Sequence, residues 1–291
     1  MKIWLVGAGY WGSKVKEELQ QFSDITDIQI IDIKQGKTID DITSLDPVIL
    51  ATPLWQHHKQ TIELLKRKHD VYVEKPMAET TEQLLDIKKH LNKNQILMAG
   101  HIYLYNPLLQ KMRDIINDGI LGDVKFIESR RLNWGIRQTK TTPVLSLAPH
   151  DISIIRHLLG DIDVTYAHSQ NLSNNIVDDS VTFGGYNFEV KVSWWWPFRE
   201  RKVIVIGDKG QAIWDDDLKE ITVTYGFLEG KYPVKKLEGK SYDDKSNRSP
   251  LYFELGHFIS CCKNKLQPIS NIDNAIGIGK NIDQVSNLLL K

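Results

Sequence analysis

The stretch Ile3-Trp4-Leu5-Val6-Gly7-Ala8-Gly9-Tyr10-Trp11-Gly12 decides the fold of this chain. Its apolar start predicts a buried strand, and the pattern G-x-G-x-x-G that follows opens a helix running to about Gln21. In such a turn the first glycine permits the tight bend, the second lets the backbone approach a pyrophosphate, and the third allows close packing of helix on strand. The turn therefore predicts a dinucleotide-binding βαβ unit.

An acidic residue marks the end of the second predicted strand, which begins at Ile28. Asp32 lies twenty residues beyond Gly12, where a carboxylate can accept hydrogen bonds from the adenosine ribose and repels a 2′-phosphate. NAD is therefore favoured, and NADP stays the alternative because Lys34 could offset the repulsion. The residues expected to contact the cofactor here are Gly7, Gly9, Tyr10, Trp11, Gly12, Asp32 and Ile33.

The pattern of apolar and polar residues changes near Gly119. Before it, apolar runs alternate with amphipathic segments, which is typical of βαβ units, and after it strand-like runs are joined by short turns. The sequence therefore predicts an α/β protein with a doubly wound, parallel Rossmann sheet in residues 1–120. Residues 121–291 are predicted to form an α+β domain with a large, open, mainly antiparallel sheet. Residues 239–249 are expected to be a loop.

Composition excludes several classes of protein. Lys plus Arg and Asp plus Glu number 37 each, so no overall field attracts nucleic acid or an anionic membrane. The cysteines, Cys261 and Cys262, are adjacent and form no disulfide framework, and the histidines show no metal-ligand spacing. No run approaches the roughly 18 apolar residues of a membrane span, and glycines interrupt any signal-peptide pattern after Val6. We therefore expect a cytoplasmic protein without a metal site.

The order and spacing of four motifs resemble those of the Gfo/Idh/MocA oxidoreductases. These motifs are the glycine turn, Ala51-Thr52-Pro53, Glu74-Lys75-Pro76 and the segment around His150. The resemblance covers essentially the whole chain. It implies an NAD-dependent enzyme that moves hydride between nicotinamide and a hydroxyl or ketone carbon of a sugar. It also implies a homodimer or homotetramer formed through the sheet of the second domain.

The same resemblance implies the catalytic residues. Lys75 matches the family's lysine, which can hydrogen-bond the reacting hydroxyl and stabilise the developing alkoxide, and the Lys75-Pro76 bond is expected to be cis. His150 matches the general base on a helix expected over residues 146–159. Many members carry aspartate four residues earlier on the same helical face, where this chain has Ser146, which cannot act as an anionic partner.

The segment Leu145 to Leu159 is similar to a subgroup that oxidises the 3-hydroxyl of nucleotide-linked N-acetylamino sugars or their uronic acids. This similarity implies a nucleotide-sugar substrate. Arg137 is a candidate donor to its phosphate or carboxylate, with solvation of a sheet face as the alternative. Further candidates are Thr52, Pro53, His57, Glu74 and Lys75 for the cofactor, and Lys75, Tyr103, Ser146 and His150 for the substrate.

Two alternative functions stay open. One is a dehydrogenase or reductase of a free sugar, an inositol or a deoxysugar intermediate, and the other is a non-catalytic NAD-binding regulator. The triplet Trp194-Trp195-Trp196 is expected on one strand, where alternation turns two of the three rings to one face. We expect these rings in the core or at a subunit interface rather than stacked on a sugar.

Overall fold

The computed structural model describes residues 1–134, 141–173, 178–229 and 232–290. The chain forms two compact units, one of Met1–Tyr105 with Arg248–Lys280 and the other of Asn106–Asn247 with Asn281–Lys291. This division differs from the predicted one at residue 120, because the chain enters the second unit earlier and residues 248–280 return to the first. A return of this kind leaves no mark on local sequence, since an amphipathic helix can pack on either unit.

Two sheets organise the chain. The first unit has a five-stranded parallel sheet in the order β2-β1-β3-β4-β5, which confirms the predicted Rossmann-type sheet. Its strands are β1 (Lys2–Val6), β2 (Asp27–Ile31), β3 (Val48–Leu50), β4 (Val71–Glu74) and β5 (Leu97–Gly100). All residues of β3, β4 and β5 are buried, as expected for parallel strands covered on both faces.

The helices of the described residues include one that carries the predicted histidine. They are α1 (Tyr10–Leu19), α2 (Leu54–Lys66), α3 (Thr81–His90), α4 (Pro107–Asn117), α5 (Pro143–Ser146), α6 (Ala148–Leu159), α7 (Pro250–Asn264) and α8 (Ile272–Leu289). Short 3₁₀ turns cover Ile33–Gln35, Ile39–Asp41 and Ile102–Tyr105. No helix in this part of the chain combines the length and the apolar character that a bilayer crossing requires.

The second unit contains the predicted large, mainly antiparallel sheet, which has eight strands. Its order is β13-β12-β11-β10-β6-β9-β8-β7, and every neighbouring pair is antiparallel except β6 with β9. The strands are β6 (Val124–Trp134), β7 (Tyr166–Gln170), β8 (Ser180–Gly184), β9 (Phe188–Ser193), β10 (Trp195–Gly207), β11 (Gly210–Asp215), β12 (Glu220–Glu229) and β13 (Tyr232–Asp243).

Two local expectations for this sheet were wrong. The tryptophan triplet does not lie on one strand, because β9 ends at Ser193, the buried Trp194 occupies a bend and Trp195 starts β10. Residues 239–243 belong to β13 and pair with β12, so only the rest of the predicted loop is irregular. Pairing with a neighbouring strand satisfies the backbone N–H and C=O groups of a polar segment, even where no alternation of apolar residues predicts a strand.

A buried ion pair joins β6 to α6. Arg131 Nε donates to Asp151 Oδ2 at 2.7 Å, and Ser129 Oγ donates to Asp151 Oδ1 at 2.7 Å. Arg131 is 3% exposed and Asp151 is 1% exposed, so both charges have lost their contact with water, and the ion pair compensates for this loss. The pair therefore holds the helix of His150 on the second sheet.

We predict that Asp151→Asn destabilises the protein by roughly 3 to 5 kcal/mol, because it removes the carboxylate charge that the buried Arg131 guanidinium contacts. Urea unfolding followed by circular dichroism measures this loss. The control is Asp161→Asn, since Asp161 pairs with Arg156 at 2.5 Å but its side chain is 95% exposed. The control should behave like the wild type, and an equal effect of the two substitutions would refute the assignment.

Candidate cofactor and active site

A cavity of about 550 Å³ lies at the carboxyl ends of β1, β2 and β3 in the first unit. Ligands of open parallel sheets bind at this edge, because the strand ends and the helix N-termini converge there. The exposed apolar side chains of Tyr10, Ile33 and Trp55 lie on its rim and offer flat contact to a planar group. The predicted cofactor residues that line it are Gly7, Gly9, Tyr10, Trp11, Asp32, Ile33, Thr52 and Pro53.

The glycine turn owes its shape to close backbone contacts. Gly7 has φ +95°, and a Cβ there would lie 2.6 Å from the Ala51 carbonyl oxygen. A Cβ at Gly12 would lie 2.0 Å from the Gly7 carbonyl oxygen, so α1 can pack on the turn only through glycine. Gly9 differs from both, because a Cβ there would meet nothing within 4 Å. The space beside Gly9 is thus open to a ligand.

The N-terminus of α1 is suited to an anion. Gly9 is its N-cap residue, no side chain caps the helix, and its first turn contains no acidic residue. In contrast, Thr80, Asn106 and Ser249 accept hydrogen bonds from the first turns of α3, α4 and α7. The amide groups that begin α1 therefore keep their capacity for phosphate oxygens, which the helix dipole also favours.

Asp32 is held as a carboxylate at the end of β2. Its Oδ2 accepts from the Ala8 backbone N–H at 2.7 Å, and its Oδ1 accepts from the Lys34 backbone N–H at 2.8 Å. These two hydrogen bonds, that of Ala8 above all, lower the pKa of the Asp32 carboxyl. Each oxygen keeps a further acceptor site, so the group can still bind ribose hydroxyls. The turn, the helix N-terminus and Asp32 together fit a dinucleotide.

The end of β4 carries Glu74-Lys75-Pro76, and the Lys75-Pro76 bond is cis, as the family resemblance implied. Lys75 is half-buried. The Glu74 side chain points inward, where its Oε1 accepts from Tyr72 Oη at 2.9 Å and its Oε2 accepts from the Lys75 backbone N–H at 3.2 Å. Burial raises the pKa of the Glu74 carboxyl. Glu74 does not line the cavity, and its cofactor contact stays a prediction.

His57 connects two strand ends below the cavity. Its Nδ1 lies 2.7 Å from the Pro76 carbonyl oxygen and its Nε2 lies 2.8 Å from the Thr52 carbonyl oxygen. The residue is 2% exposed, and burial lowers the pKa of its imidazole. The structure therefore places His57 where it joins the segments after β3 and β4, rather than on the cavity surface where sequence reasoning expected it.

Two aromatic residues follow β5 in the same unit. His101 is 3% exposed, and burial together with the nearby Lys75 ammonium lowers the pKa of its imidazole to about 4. Tyr103, a predicted substrate contact, is 8% exposed in the 3₁₀ turn after it. Lys75 and His101 directly follow Glu74 and Gly100, which pair with each other at the ends of β4 and β5. Sequence spacing alone did not indicate this.

The second unit carries the other predicted catalytic side chain. His150 lies in the first turn of α6, and its backbone N–H donates to the Leu147 carbonyl at 3.1 Å. The expected single helix over residues 146–159 was wrong, because Ser146 ends α5 and Leu147 separates it from α6. Pro149 explains the break, since proline is favoured in a first helical turn and cannot continue a preceding helix. Arg137 lies outside the described residues.

We predict that Gly9→Ala leaves folding stability nearly unchanged but raises the Kd for NADH at least about tenfold, because the added methyl occupies the space needed by the pyrophosphate. Thermal unfolding without cofactor and NADH fluorescence titration measure the two effects. Gly12→Ala is the contrasting control, since its Cβ collides with backbone even without cofactor. An unchanged Kd for Gly9→Ala would mean that no phosphate approaches this turn.

We predict that His101 contributes to acid sensitivity. The His101 imidazole has a pKa of about 4 in the folded protein, whereas an unfolded histidine has a pKa of about 6.5. Between these two pH values the unfolded chain binds more protons than the folded protein, so stability falls as the pH drops from about 6.5 towards 4. His101→Asn should remove up to about 3 kcal/mol of this loss, measured by urea unfolding between pH 7 and pH 4.5. The exposed His168→Asn is the control and should keep the wild-type pH dependence. Equal profiles for both variants would contradict the prediction.

Comparison with known proteins agrees with this geometry. Residues 13–101 match the family described as "Oxidoreductase family, NAD-binding Rossmann fold", and residues 109–213 match the Gfo/Idh/MocA C-terminal domain. The 2,7-anhydro-N-acetylneuraminate hydratase of Escherichia coli K12 is 26% identical over 246 residues, which cover 71% of this chain and 65% of the relative. The chain thus spans slightly less than two thirds of that protein.

Solved structures share the fold over nearly the whole chain. The UDP-N-acetylglucosamine 3-dehydrogenase GnnA from Acidithiobacillus ferrooxidans has a TM-score of 0.84 at 16% identity, covering 99% of this chain and 97% of that one. A levoglucosan dehydrogenase in complex with NADH has a TM-score of 0.82 at 13% identity, with coverages of 100% and 97%. The chain therefore belongs to the Gfo/Idh/MocA family of oxidoreductases and contains its NAD-binding Rossmann domain.

Proposed function

We propose that this protein transfers hydride between NAD and a sugar carbon that carries a hydroxyl or a ketone. The observation that carries the proposal is the position of Lys75, which follows β4 at the carboxyl edge of a sheet whose glycine turn fits a dinucleotide. Membership of an oxidoreductase family supports it, as do relatives whose names refer to sugar dehydrogenases.

The cofactor would be held by groups already described. The first-turn amides of α1 would bind the pyrophosphate, and Asp32 would bind the adenosine ribose. When bound, NAD⁺ supplies the acceptor for the hydride. The negative charge of Asp32 favours NAD over NADP, because a 2′-phosphate would approach the carboxylate.

The family resemblance assigns both Lys75 and His150 to the substrate. During oxidation the carbon loses a hydride and its hydroxyl loses a proton, which leaves a ketone. We assign the proton to the His150 imidazole, since a ring nitrogen of a neutral imidazole can accept it. The Lys75 ammonium would donate a hydrogen bond to the substrate oxygen and stabilise its growing negative charge. Ser146 is uncharged, so His150 would work without the carboxylate partner of many family members.

For the substrate we propose a nucleotide-linked N-acetylamino sugar or its uronic acid, oxidised at C3. The similarity of residues 145–159 to the subgroup that uses such sugars supports this choice. It is also supported by the name of GnnA, and the name of the Escherichia coli relative refers to another N-acetylated sugar. Arg137, Tyr103 and Ser146 stay the predicted substrate contacts, and the eight-stranded sheet stays the proposed surface for a homodimer or homotetramer.

A substrate panel tests this function. Formation of NADH is followed by the absorbance of the reduced nicotinamide ring with UDP- and dTDP-linked N-acetylamino sugars, free sugars, inositols and anhydro sugars. Turnover confined to free sugars or inositols would replace the proposed substrate class but keep the redox chemistry. Tight NADH binding without turnover of any compound would favour a regulator and refute the oxidoreductase.

We predict that Lys75→Met and His150→Asn each lower kcat by about 10² to 10⁴ while the Kd for NADH changes less than about threefold, because both groups act on the substrate oxygen. Steady-state kinetics and fluorescence titration separate the two quantities. Lys66→Met, at an exposed lysine near the end of α2, is the matched control and should keep full activity. Retention of full kcat by Lys75→Met would contradict the assigned role.

A further inference from the structure

Two buried carboxyl groups meet on one tyrosine in the first unit. Tyr72 Oη on β4 lies 2.9 Å from Glu74 Oε1 and 3.0 Å from Oε2 of Glu254, a residue of α7. Tyr72 and Glu254 are both 0% exposed. The three groups therefore share a site without bulk water, although Glu254 is 182 residues beyond Tyr72 in sequence.

The number of protons decides what this arrangement is. A phenol has one O–H and donates one full hydrogen bond, so it cannot satisfy two carboxylates at once. If both glutamates were ionised, one carboxylate oxygen would face the lone pairs of the phenol oxygen, and two like charges would share a buried site. One of the two carboxyl groups must therefore be protonated and donate a hydrogen bond to the phenol oxygen of Tyr72.

The surroundings place that proton on Glu254. Glu74 accepts a second hydrogen bond, from the Lys75 backbone N–H at 3.2 Å, and the positive charge of Lys75 favours its ionised form. Glu254 has Tyr72 as its hydrogen-bond partner, and its Oε1 is buried without a partner among the described residues. An oxygen left in this state is far less costly on a neutral carboxyl than on a carboxylate.

We infer that Glu254 is a positioning residue of the proposed active site, whose protonated carboxyl donates to Tyr72 so that Tyr72 donates to an ionised Glu74 beside Lys75. The functional part of this inference rests on the proposed role of Lys75. Through the chain Glu254–Tyr72–Glu74, a helix near the end of the sequence would determine the charge and the orientation of the segment that carries the catalytic lysine.

The other titratable groups nearby do not supply a competing donor. Tyr105, on the 3₁₀ turn after β5, faces Glu254 but exchanges its hydrogen bond with Ser270 at 2.8 Å. His257 and Cys261 lie on α7 itself, towards Tyr105, and His101 follows Gly100, which pairs with Glu74. Burial, and then the charge of Glu74, raises the pKa of the Glu254 carboxyl well above its ordinary value.

This protonation has a pH signature with a definite sign. A carboxyl whose pKa is raised by folding stabilises the protein fully below its unfolded value of about 4.3, and this stability is lost as the pH rises towards the folded pKa. Glu254→Gln replaces the protonated carboxyl with an amide that can donate the same hydrogen bond but does not titrate. We therefore expect the Tm of the variant minus that of the wild type to increase by roughly 4 °C or more from pH 5 to pH 8.

Glu189→Gln is the matched control for this measurement. Tyr166 Oη donates to Glu189 Oε2 at 2.8 Å in the second unit, and this hydrogen bond uses the one O–H of the phenol without requiring a second carboxyl group. The control should show no such increase with pH. A Tm difference for Glu254→Gln that stays constant or decreases from pH 5 to pH 8 would overturn the inference.

A second readout is spectroscopic. At pH 6 the infrared spectrum of the wild-type protein should contain the band of a protonated carboxyl, and Glu254→Gln should lack it. Absence of the band from the wild type would also overturn the inference. Neither the infrared band nor the Tm depends on a substrate, so both remain decisive if the proposed sugar oxidation fails.

Kinetics test the positioning role separately. Glu254→Met removes the donor at similar volume and should lower kcat at least about tenfold, whereas Glu254→Gln should recover most of that loss because it restores the hydrogen bond to Tyr72. A purely structural role would lower Tm in both variants without this difference in kcat. Equal kcat values for the two variants would leave Glu254 as a packing residue and refute its positioning role.

Discussion

The constraint on which the first unit depends is the close approach of three backbone segments at the carboxyl edge of the parallel sheet. Gly7 passes so near Ala51, and Gly12 so near Gly7, that a single Cβ at either glycine would overlap a carbonyl oxygen. This contact brings the start of α1 to the ends of β1 and β3. The open space beside Gly9 and the uncapped helix N-terminus then form a site in which backbone amides can bind an anion.

The same edge concentrates buried polar groups, and two of them are held by several neighbours. His57 lies between the Thr52 and Pro76 carbonyls, and Glu74 accepts from both Tyr72 and the Lys75 backbone. Burial of such groups is costly unless hydrogen bonds replace water. The strand ends around the predicted catalytic lysine are therefore rigidly connected, which is what orientation of a reacting group requires.

In the second unit a buried charge pair positions the helix that carries the predicted base. Arg131 on β6 and Asp151 on α6 fix the helix whose first turn contains His150, and Pro149 determines where that helix begins. The residue next to the predicted base thus has a structural task, while Ser146 belongs to a different helix. A neutral residue at position 146 is consistent with this break, because it is no longer one turn before His150 on a continuous helical face.

Sequence by itself determined the parallel sheet, the glycine turn, Asp32 and the position of Lys75 after β4, because these features depend on neighbours within a few residues and on apolar periodicity. Only the tertiary structure decided that residues 248–280 return to the first unit, that His57 is buried below the cavity and that Glu254 reaches Tyr72. It also decided the break at Leu147 and the pairing of residues 239–243. The physical reason is that burial and hydrogen-bond partners are set by packing between segments far apart in the chain, and local sequence contains no record of that packing.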